Sequence, residues 1–253
     1  MPRKALRVSH VSITLNDQSA DMEDRLAVAV GELERLIREK YHVIPYQAKA
    51  IFLRDVVALL NETFGKANGL TFTKAIQNDR TFLRPDGGLF YVMDQAGLKR
   101  YILVAEAKRQ GTNDLRQAEG KSKQAQGNAV ERLRKNMQGI DCLFAAEAIT
   151  PFVCFGEGLD FASDSSSLDR VATMNSFFPL STIYIDKIYV TQPVQEIFKP
   201  TSLYFREAPW MPAEMLDVMW TICQRSIEYY DRKYGLRRIA PKSDDEGTAE
   251  DTP

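Results

Sequence analysis

The sequence predicts a mixed fold in which helices flank a β-sheet with both parallel and antiparallel strands. Apolar residues recur at helical spacing near both ends of the chain, and short β-branched and aromatic runs occupy its middle. Hydrophobic residues make up 44% of the 253 residues, which is enough for a sizeable core. No repeat or linker divides the chain. We therefore predict a single domain over residues 1–240, followed by a disordered acidic tail over residues 241–253.

The N-terminal third carries two helical patterns. Leu26, Val30, Leu33 and Ile37 predict an amphipathic helix over residues 20–40. A second apolar stripe, from residue 51 to residue 64, predicts a helix that stops at Gly65. Neither pattern carries chemistry, and core packing explains both.

Strand patterns follow at residues 81–83, 89–92 and 101–104, and residues 94–97 predict the turn between the last two. A basic and polar connection then leads to a helix that is expected to begin near Asn128 and to reach about Ala148. Further strands are predicted at 152–155 and 183–185. A final helix should begin at Pro212 and stop at Gly235.

Composition excludes several classes of protein. The chain has no run of 18 apolar residues and no apolar N-terminal leader, so we expect it to stay in the cytoplasm. Its three cysteines, Cys142, Cys154 and Cys223, lack CxxC spacing and are expected to be reduced core residues rather than disulfide or zinc ligands. With only two histidines, histidine-based catalysis is disfavoured.

The net charge of −1 conceals an uneven distribution of charge. Residues 99–135 hold ten Lys or Arg against four Asp or Glu, whereas residues 242–253 hold five acidic residues against one Lys. A basic stretch is often only a solvated face, and it can also be the surface that binds nucleic acid. The residues around it decide between these interpretations.

An apolar strand at residues 102–105 leads directly into Glu106 and Lys108. Side chains two positions apart in a strand face the same side, so this carboxylate and this ammonium group should lie together. The preceding strand starts at a Pro-Asp-Gly-Gly segment, residues 85–88. A hairpin between the two strands would bring Asp86 to the same end of the sheet.

Two carboxylates and a lysine are suited to the hydrolysis of a phosphodiester bond. Carboxylate oxygens are ligands that Mg²⁺ prefers, and the metal would polarise the phosphate and lower the pKa of a bound water. Lys108 would stabilise the charge of the transition state or orient the attacking water. A surface salt bridge would explain Glu106 and Lys108 equally well from spacing alone. The apolar strand before them and the basic segment after them favour a nuclease.

Residues 126–132 also have two interpretations. Asn128 followed by Glu131 forms a capping box at the start of a helix. The same side chains, with Arg132, can read base edges, because Asn pairs with adenine, Arg with purine acceptors and Glu with an exocyclic amine. In that case Lys121 and Lys123 would contact phosphates. Both interpretations can hold at once.

Taken together, these motifs resemble the EcoRI family of restriction endonucleases. The segments at 85–88, 103–108 and 127–132 (Gly-Asn-Ala-Val-Glu-Arg) occur in that family's order and at closely similar spacing. The clear similarity covers residues 85–136, and a weaker similarity reaches about residue 190. A carboxylate–lysine pattern is unspecific alone, but its combination with the Gly-Asn-Ala segment is highly specific.

The resemblance implies a restriction-endonuclease-like α/β sandwich of the PD-(D/E)xK type, with a five-stranded mixed sheet flanked by helices. It also implies Mg²⁺ as cofactor, a homodimer on double-stranded DNA and functional pairing with a DNA methyltransferase of the same specificity. By matching positions, Asp86, Glu106 and Lys108 would be catalytic, and the metal ligands would be Asp86, Glu106 and the backbone carbonyl of Ala107. The DNA-binding residues would be Ala125, Gln126, Gly127, Asn128, Ala129, Glu131, Arg132, Lys121, Lys123 and Arg170.

We therefore predict a type II restriction endonuclease that cuts a palindrome centred on AATT, with GAATTC as first choice, and leaves 5′ overhangs. Ser166 and Ser167 stand where the family has another base-reading arginine, so the outer base pair stays open. One alternative is a structure-specific repair or junction nuclease, which would share the carboxylates and lysine but would not need the base reader. A second alternative is a non-catalytic DNA-binding regulator.

Overall fold

The computed structural model describes residues 10–73, 80–110, 112–122, 133, 136, 137, 139–161, 182–185, 188–191 and 201–239. Its helices are α1 (His10–Tyr41), α2 (Leu53–Leu60), α3 (Lys66–Asn68), α4 (Thr112–Ala118) and α5 (Pro212–Tyr234). Its strands are β1 (Tyr46–Ala48), β2 (Ile51–Phe52), β3 (Phe82–Leu83), β4 (Gly88–Met93), β5 (Lys99–Arg109), β6 (Phe152–Glu157), β7 (Thr182–Ile185), β8 (Ile188–Thr191) and β9 (Thr201–Arg206). A π-helical turn at Asn61–Gly65 joins α2 to α3, short 3-10 helices lie at Cys142–Phe144 and Leu159–Phe161, and residues 133, 136, 137 and 139–141 are helical.

A mixed sheet forms the centre of the fold. Strands β4, β5, β6, β9 and β7 lie side by side in that order. The last four run parallel to one another, and β4 is antiparallel to β5. The short antiparallel strands β1 and β8 extend the sheet at its two edges. The predicted five-stranded mixed sheet flanked by helices is therefore present, with one further strand at each edge.

Helices cover both faces of this sheet. On one face, α1 and α5 pack through fully buried side chains such as Leu33 and Met219 against Phe155 of β6. On the opposite face, α2 and the described helical residues that follow residue 132 pack through Val56, Leu133 and other apolar side chains. The amphipathic patterns at both ends of the sequence therefore predicted α5 with its bounds and the C-terminal two thirds of α1, whereas α1 begins at His10, ten residues before the predicted start. None of the helices in the described ranges combines the length and apolarity required to cross a bilayer.

The pairing between β4 and β5 contains a β-bulge. Phe90 is opposite Leu103, but the next pair is Tyr91 with Tyr101, so Ile102 has no partner. One extra residue in a strand shifts the alternation of its side chains by one position. Every residue of β5 after the bulge therefore faces the side opposite to the one that a regular strand would give it.

The second predicted helix was partly wrong at both of its ends. Ile51 pairs with Leu83 as part of a two-stranded ribbon of β2 and β3, so the helix begins two residues later than predicted. The helical turns also continue through Gly65 to Asn68, and Gly69 ends them with a φ of 65°. A left-handed conformation favours glycine, and Gly69 rather than Gly65 supplies it.

Three further expectations need correction. The polar connection after β5 contains a helix, α4, because residues 112–118 form helical turns. The helix predicted to reach Ala148 ends earlier, in the 3-10 turn at Cys142–Phe144. Cys142 is exposed on this turn, whereas Cys154 and Cys223 are buried as expected. The predicted tail at 241–253 lies outside the described residues.

Candidate active site

Two consecutive glycines allow Asp86 to approach the end of β5. Gly87 donates its amide to the Ala105 carbonyl at 2.9 Å, and a Cβ at Gly87 would lie 2.8 Å from the Ala105 Cβ. Gly88 starts β4 opposite Ala105 with a φ of +81°, a conformation that side chains other than hydrogen rarely adopt. The Pro-Asp-Gly-Gly segment therefore brings Asp86 next to Glu106 through a tight turn that any larger residue would obstruct.

Glu106 is the most deeply buried residue of the site, with 1% of its side-chain surface exposed. The Asp86 amide donates to Oε2 at 3.1 Å, and Asn136 Nδ2 donates to Oε1 at 3.0 Å. Lys108 Nζ also forms an ion pair with Oε1. The carboxylate is therefore held by three donors from three different parts of the chain.

Lys108 joins the two carboxylates. Its Nζ donates to Asp86 Oδ2 at 2.9 Å while it pairs with Glu106. The Ala107 amide, on the residue between them, donates to the same Asp86 oxygen at 3.3 Å. The Lys108 and Asp86 side chains keep 20% and 27% of their surface accessible, so the cluster is open to solvent on the Asp86 side.

Burial and neighbouring charge act in opposite directions on these groups. Burial raises the pKa of Glu106, and the nearby Asp86 carboxylate also raises it, while Lys108 and the Asp86 amide partly offset the effect. Burial lowers the pKa of Lys108, but the attraction of Glu106 and Asp86 outweighs it, so that pKa is raised overall. Lys108 therefore stays charged at neutral pH and supplies the positive charge that a buried carboxylate needs.

Asn136 is a site residue that the sequence reasoning missed. It lies between Leu133 and Met137, both buried in the core beneath this face of the sheet. The signal available in the sequence was one polar side chain that can accept and donate, placed among core positions shortly after residues 127–132. Spacing alone does not show that this side chain reaches Glu106, because the two residues are 30 positions apart.

The structure describes only some of the other predicted site residues. Lys121 lies just after α4, is exposed, and pairs with Glu119 at 2.6 Å. The remaining predicted DNA-binding residues lie outside the described residues: Lys123, Ala125, Gln126, Gly127, Asn128, Ala129, Glu131, Arg132 and Arg170. The structure thus brings together Asp86, Glu106, Ala107 and Lys108.

A sequence profile described as "Restriction endonuclease EcoRI" matches residues 9–237, a range that includes the whole cluster and all of the predicted reader segment. The chain belongs to the EcoRI family of restriction endonucleases. It is 31% identical to the type II restriction enzyme RsrI of Cereibacter sphaeroides over 79% of this chain and 81% of that protein. It is 27% identical to the type II restriction enzyme EcoRI of Escherichia coli over 81% of this chain and 85% of that protein.

Membership of the EcoRI family accounts for the fold and for the class of reaction. The mixed sheet flanked by helices is the architecture that the resemblance implied. The chain is a restriction endonuclease, a hydrolase that cuts DNA at specific sites. Family membership therefore favours the site-specific enzyme over a structure-specific repair nuclease and over a non-catalytic regulator.

Proposed function

We propose that this EcoRI-family enzyme hydrolyses double-stranded DNA in a Mg²⁺-dependent reaction catalysed by Asp86, Glu106 and Lys108. The observation that carries the proposal is the contact of Lys108 Nζ with both carboxylates at the end of a buried strand. Burying a carboxylate as deeply as Glu106 costs free energy unless the carboxylate is paired or binds a metal. The Asp86 carboxylate lies on the solvent-accessible side of the cluster, so a metal ion and a phosphate group could both reach the cluster there.

The donor set fits a hard divalent cation that retains water ligands. Asp86 and Glu106 supply carboxylate oxygens, and the backbone carbonyl of Ala107 is a third candidate. The Ala105 carbonyl points towards β4, where it accepts from Gly87. Carbonyls two residues apart in a strand point to the same edge, so the Ala107 carbonyl lies on the edge where β4 has ended and Asp86 stands. Carboxylate and carbonyl oxygens are the ligands that Mg²⁺ prefers.

Each side chain then has a defined task. The bound Mg²⁺ would polarise the scissile phosphate and lower the pKa of a water. Asp86 and Glu106 would hold the cation. Lys108 offers an ammonium group that stabilises the negative charge developing on the phosphate oxygens or orients the attacking water. In this structure Lys108 contacts both carboxylates, so its charge lies at the cluster before DNA binds.

Recognition is assigned to the segment that follows α4. Asn128 and Glu131 would read adenines, and Arg132 would help to define the same half-site, with the small residues Ala125, Gly127 and Ala129 letting the backbone approach the bases. DNA contacts are also assigned to three basic residues outside the base-reading segment, Lys121, Lys123 and Arg170. The support for these roles is the intact Gly-Asn-Ala-Val-Glu-Arg segment within the range that matches the family.

A homodimer would convert one half-site into a palindrome, because two-fold symmetry repeats the same reader on both strands. The proposed target is centred on AATT, with GAATTC favoured, and cleavage would leave 5′ overhangs. A DNA methyltransferase of the same specificity would be the functional partner that protects host DNA. We place the catalytic and DNA-binding functions in a single domain over residues 1–240.

The test is to incubate the purified protein with plasmid DNA and Mg²⁺ and to sequence the ends. We expect cleavage that EDTA abolishes, and fragments with AATT overhangs. Asp86→Ala is expected to lose cleavage but to keep sequence-specific binding, because Asp86 is assigned to the metal and not to the bases. A target that lacks AATT would refute the assigned specificity alone, whereas full cutting by Asp86→Ala would reject the assigned site.

A further inference from the structure

The Glu106 carboxylate receives a donor from a part of the chain that the proposed reaction does not yet use. Asn136 Nδ2 donates to Glu106 Oε1 at 3.0 Å, on the face of the sheet that carries Cys154, Leu133 and Met137. We propose that Asn136 is a positioning residue that holds Glu106 in the orientation required to bind the catalytic metal. This inference rests on the proposed function, since it assigns Glu106 to the metal.

The distribution of donors over the two carboxylate oxygens supports this role. A carboxylate oxygen accepts about two hydrogen bonds. Lys108 Nζ and Asn136 Nδ2 both approach Oε1 and fill it, whereas the donor to Oε2 from the described part of the chain is the Asp86 amide at 3.1 Å. With respect to the described residues, one acceptor position is therefore left on Oε2, next to Asp86. By donating to Oε1, Asn136 would hold Glu106 so that Oε2 faces the position of the cation.

Lys108 cannot perform this task alone. Its Nζ is shared with Asp86 Oδ2 at 2.9 Å, so its position follows both carboxylates and would change when a cation binds between them. The Asn136 amide is neutral and donates to Glu106, whereas Lys108 is charged and divides its contacts between two carboxylates. Asn136 is therefore the donor whose position does not depend on the charge of the site.

Asn136 lies between apolar residues of the chain that are packed in the core. Leu133 and Met137, on either side of it, are 1% and 4% exposed and belong to the core that covers this face of the sheet. A donor on a packed helical segment keeps its geometry better than one on a loop. Outer residues that hold a metal ligand in this way commonly account for 10–100-fold in metal affinity or activity.

The test is Asn136→Leu, which keeps the volume of the side chain but removes the donor. Binding of Mn²⁺ to the protein, followed by the EPR signal of the free ion, is expected to weaken by roughly 10-fold or more. The Mg²⁺ concentration at half-maximal cleavage should rise by a similar factor, while cleavage at saturating Mg²⁺ falls less. If Asn136 served only folding, the substitution would lower the melting temperature and leave both the Mn²⁺ affinity and the half-maximal Mg²⁺ concentration unchanged.

Asn61→Leu is the matched control. Asn61 donates Nδ2 to the Phe72 carbonyl at 2.8 Å and accepts from the Phe72 amide at 2.6 Å, so it ties two segments together without contacting the cluster. Its loss should lower thermal stability and leave Mn²⁺ affinity unchanged. If Asn136→Leu does not fold, Asn136→Ser is measured in the same way.

The outcomes separate the two proposals. If a folded Asn136 variant has a Mn²⁺ affinity and a half-maximal Mg²⁺ concentration within twofold of wild type, the positioning role is wrong and the proposed function is unaffected. A wild-type protein that shows no metal-dependent cleavage overturns the proposed function itself.

Discussion

Glu106→Gln tests whether the buried carboxylate works through its charge. The substitution keeps the shape of the side chain, and a glutamine oxygen can still accept from Lys108 and Asn136 at the position of Oε1. The new amide group would face the Asp86 N–H, which now donates to Oε2 at 3.1 Å, so one donor meets another. Lys108 keeps the Asp86 carboxylate as its partner at 2.9 Å. The change therefore removes a metal ligand while most of the packing survives.

The expected loss of rate follows from the role as ligand. A single transition-state donor is worth about 3 kcal/mol, and a charged metal ligand should be worth on the order of 4 kcal/mol or more. At about 1.4 kcal/mol for each factor of ten, cleavage should fall roughly 1,000-fold. The free energy of unfolding should change by only about 1 kcal/mol, because release from charge burial offsets the weakened pair with Lys108. DNA binding without metal should be unchanged or tighter, because a negative charge near phosphates is removed.

Single-turnover cleavage of a target duplex measures the rate, and thermal unfolding measures stability. Glu157→Gln is the matched control, because Glu157 is also buried, lies at the end of the neighbouring strand β6 and pairs with Arg25 at 2.7 Å. Breaking that buried pair should lower stability by about 3 kcal/mol or more and leave the cleavage of the folded protein near the wild-type rate. If Glu106→Gln cuts within tenfold of wild type, the assignment of Glu106 as a metal ligand is wrong.

Three further predictions concern recognition, charge and pH. Asn128→Ala should lose about 1–3 kcal/mol of discrimination per half-site in binding to matched and mismatched duplexes, whereas a residue that only caps a helix would lose ~1 kcal/mol of stability and keep its specificity. Specific binding should weaken with salt with a slope of log K against log salt of roughly −5 to −7, and a slope shallower than about −2 would mean that the basic stretch at 99–135 is merely solvated. Burial raises the pKa of Tyr101 to about 12, so its phenol stabilises the fold below pH 10 and this contribution is lost as the pH rises towards 12. Between pH 9 and pH 11, Tyr101→Phe should therefore lose about 1 kcal/mol less free energy of unfolding than wild type, as measured by denaturant titration. An equal loss in both proteins would contradict the assignment of Tyr101 as a buried phenol.

Much of the candidate site could be predicted because its motifs are short and local. Glu106 and Lys108 are two positions apart at the end of an apolar run, and Asp86 starts the adjacent strand at a glycine pair. These patterns identify which side chains meet at one end of a hairpin. The same local rules were less successful from residue 51 to residue 64, where an apolar stripe hid the pairing of Ile51 with Leu83. Strand pairing between distant residues leaves little trace in the helical periodicity of either partner.

The sequence by itself determined α5, the strands β4 and β5, the family and the identity of the clustered residues. Only the tertiary structure decided the face on which Glu106 and Lys108 emerge. The run at 101–105 is uniformly apolar, so its alternation does not reveal that Ile102 is left unpaired opposite β4. That bulge turns Glu106 towards Cys154 and the segment that carries Asn136, whereas a regular strand would have turned it towards the core of α1 and α5. The physical reason is that a bulge is selected by the packing of both sheet faces at once, which no local stretch of sequence contains.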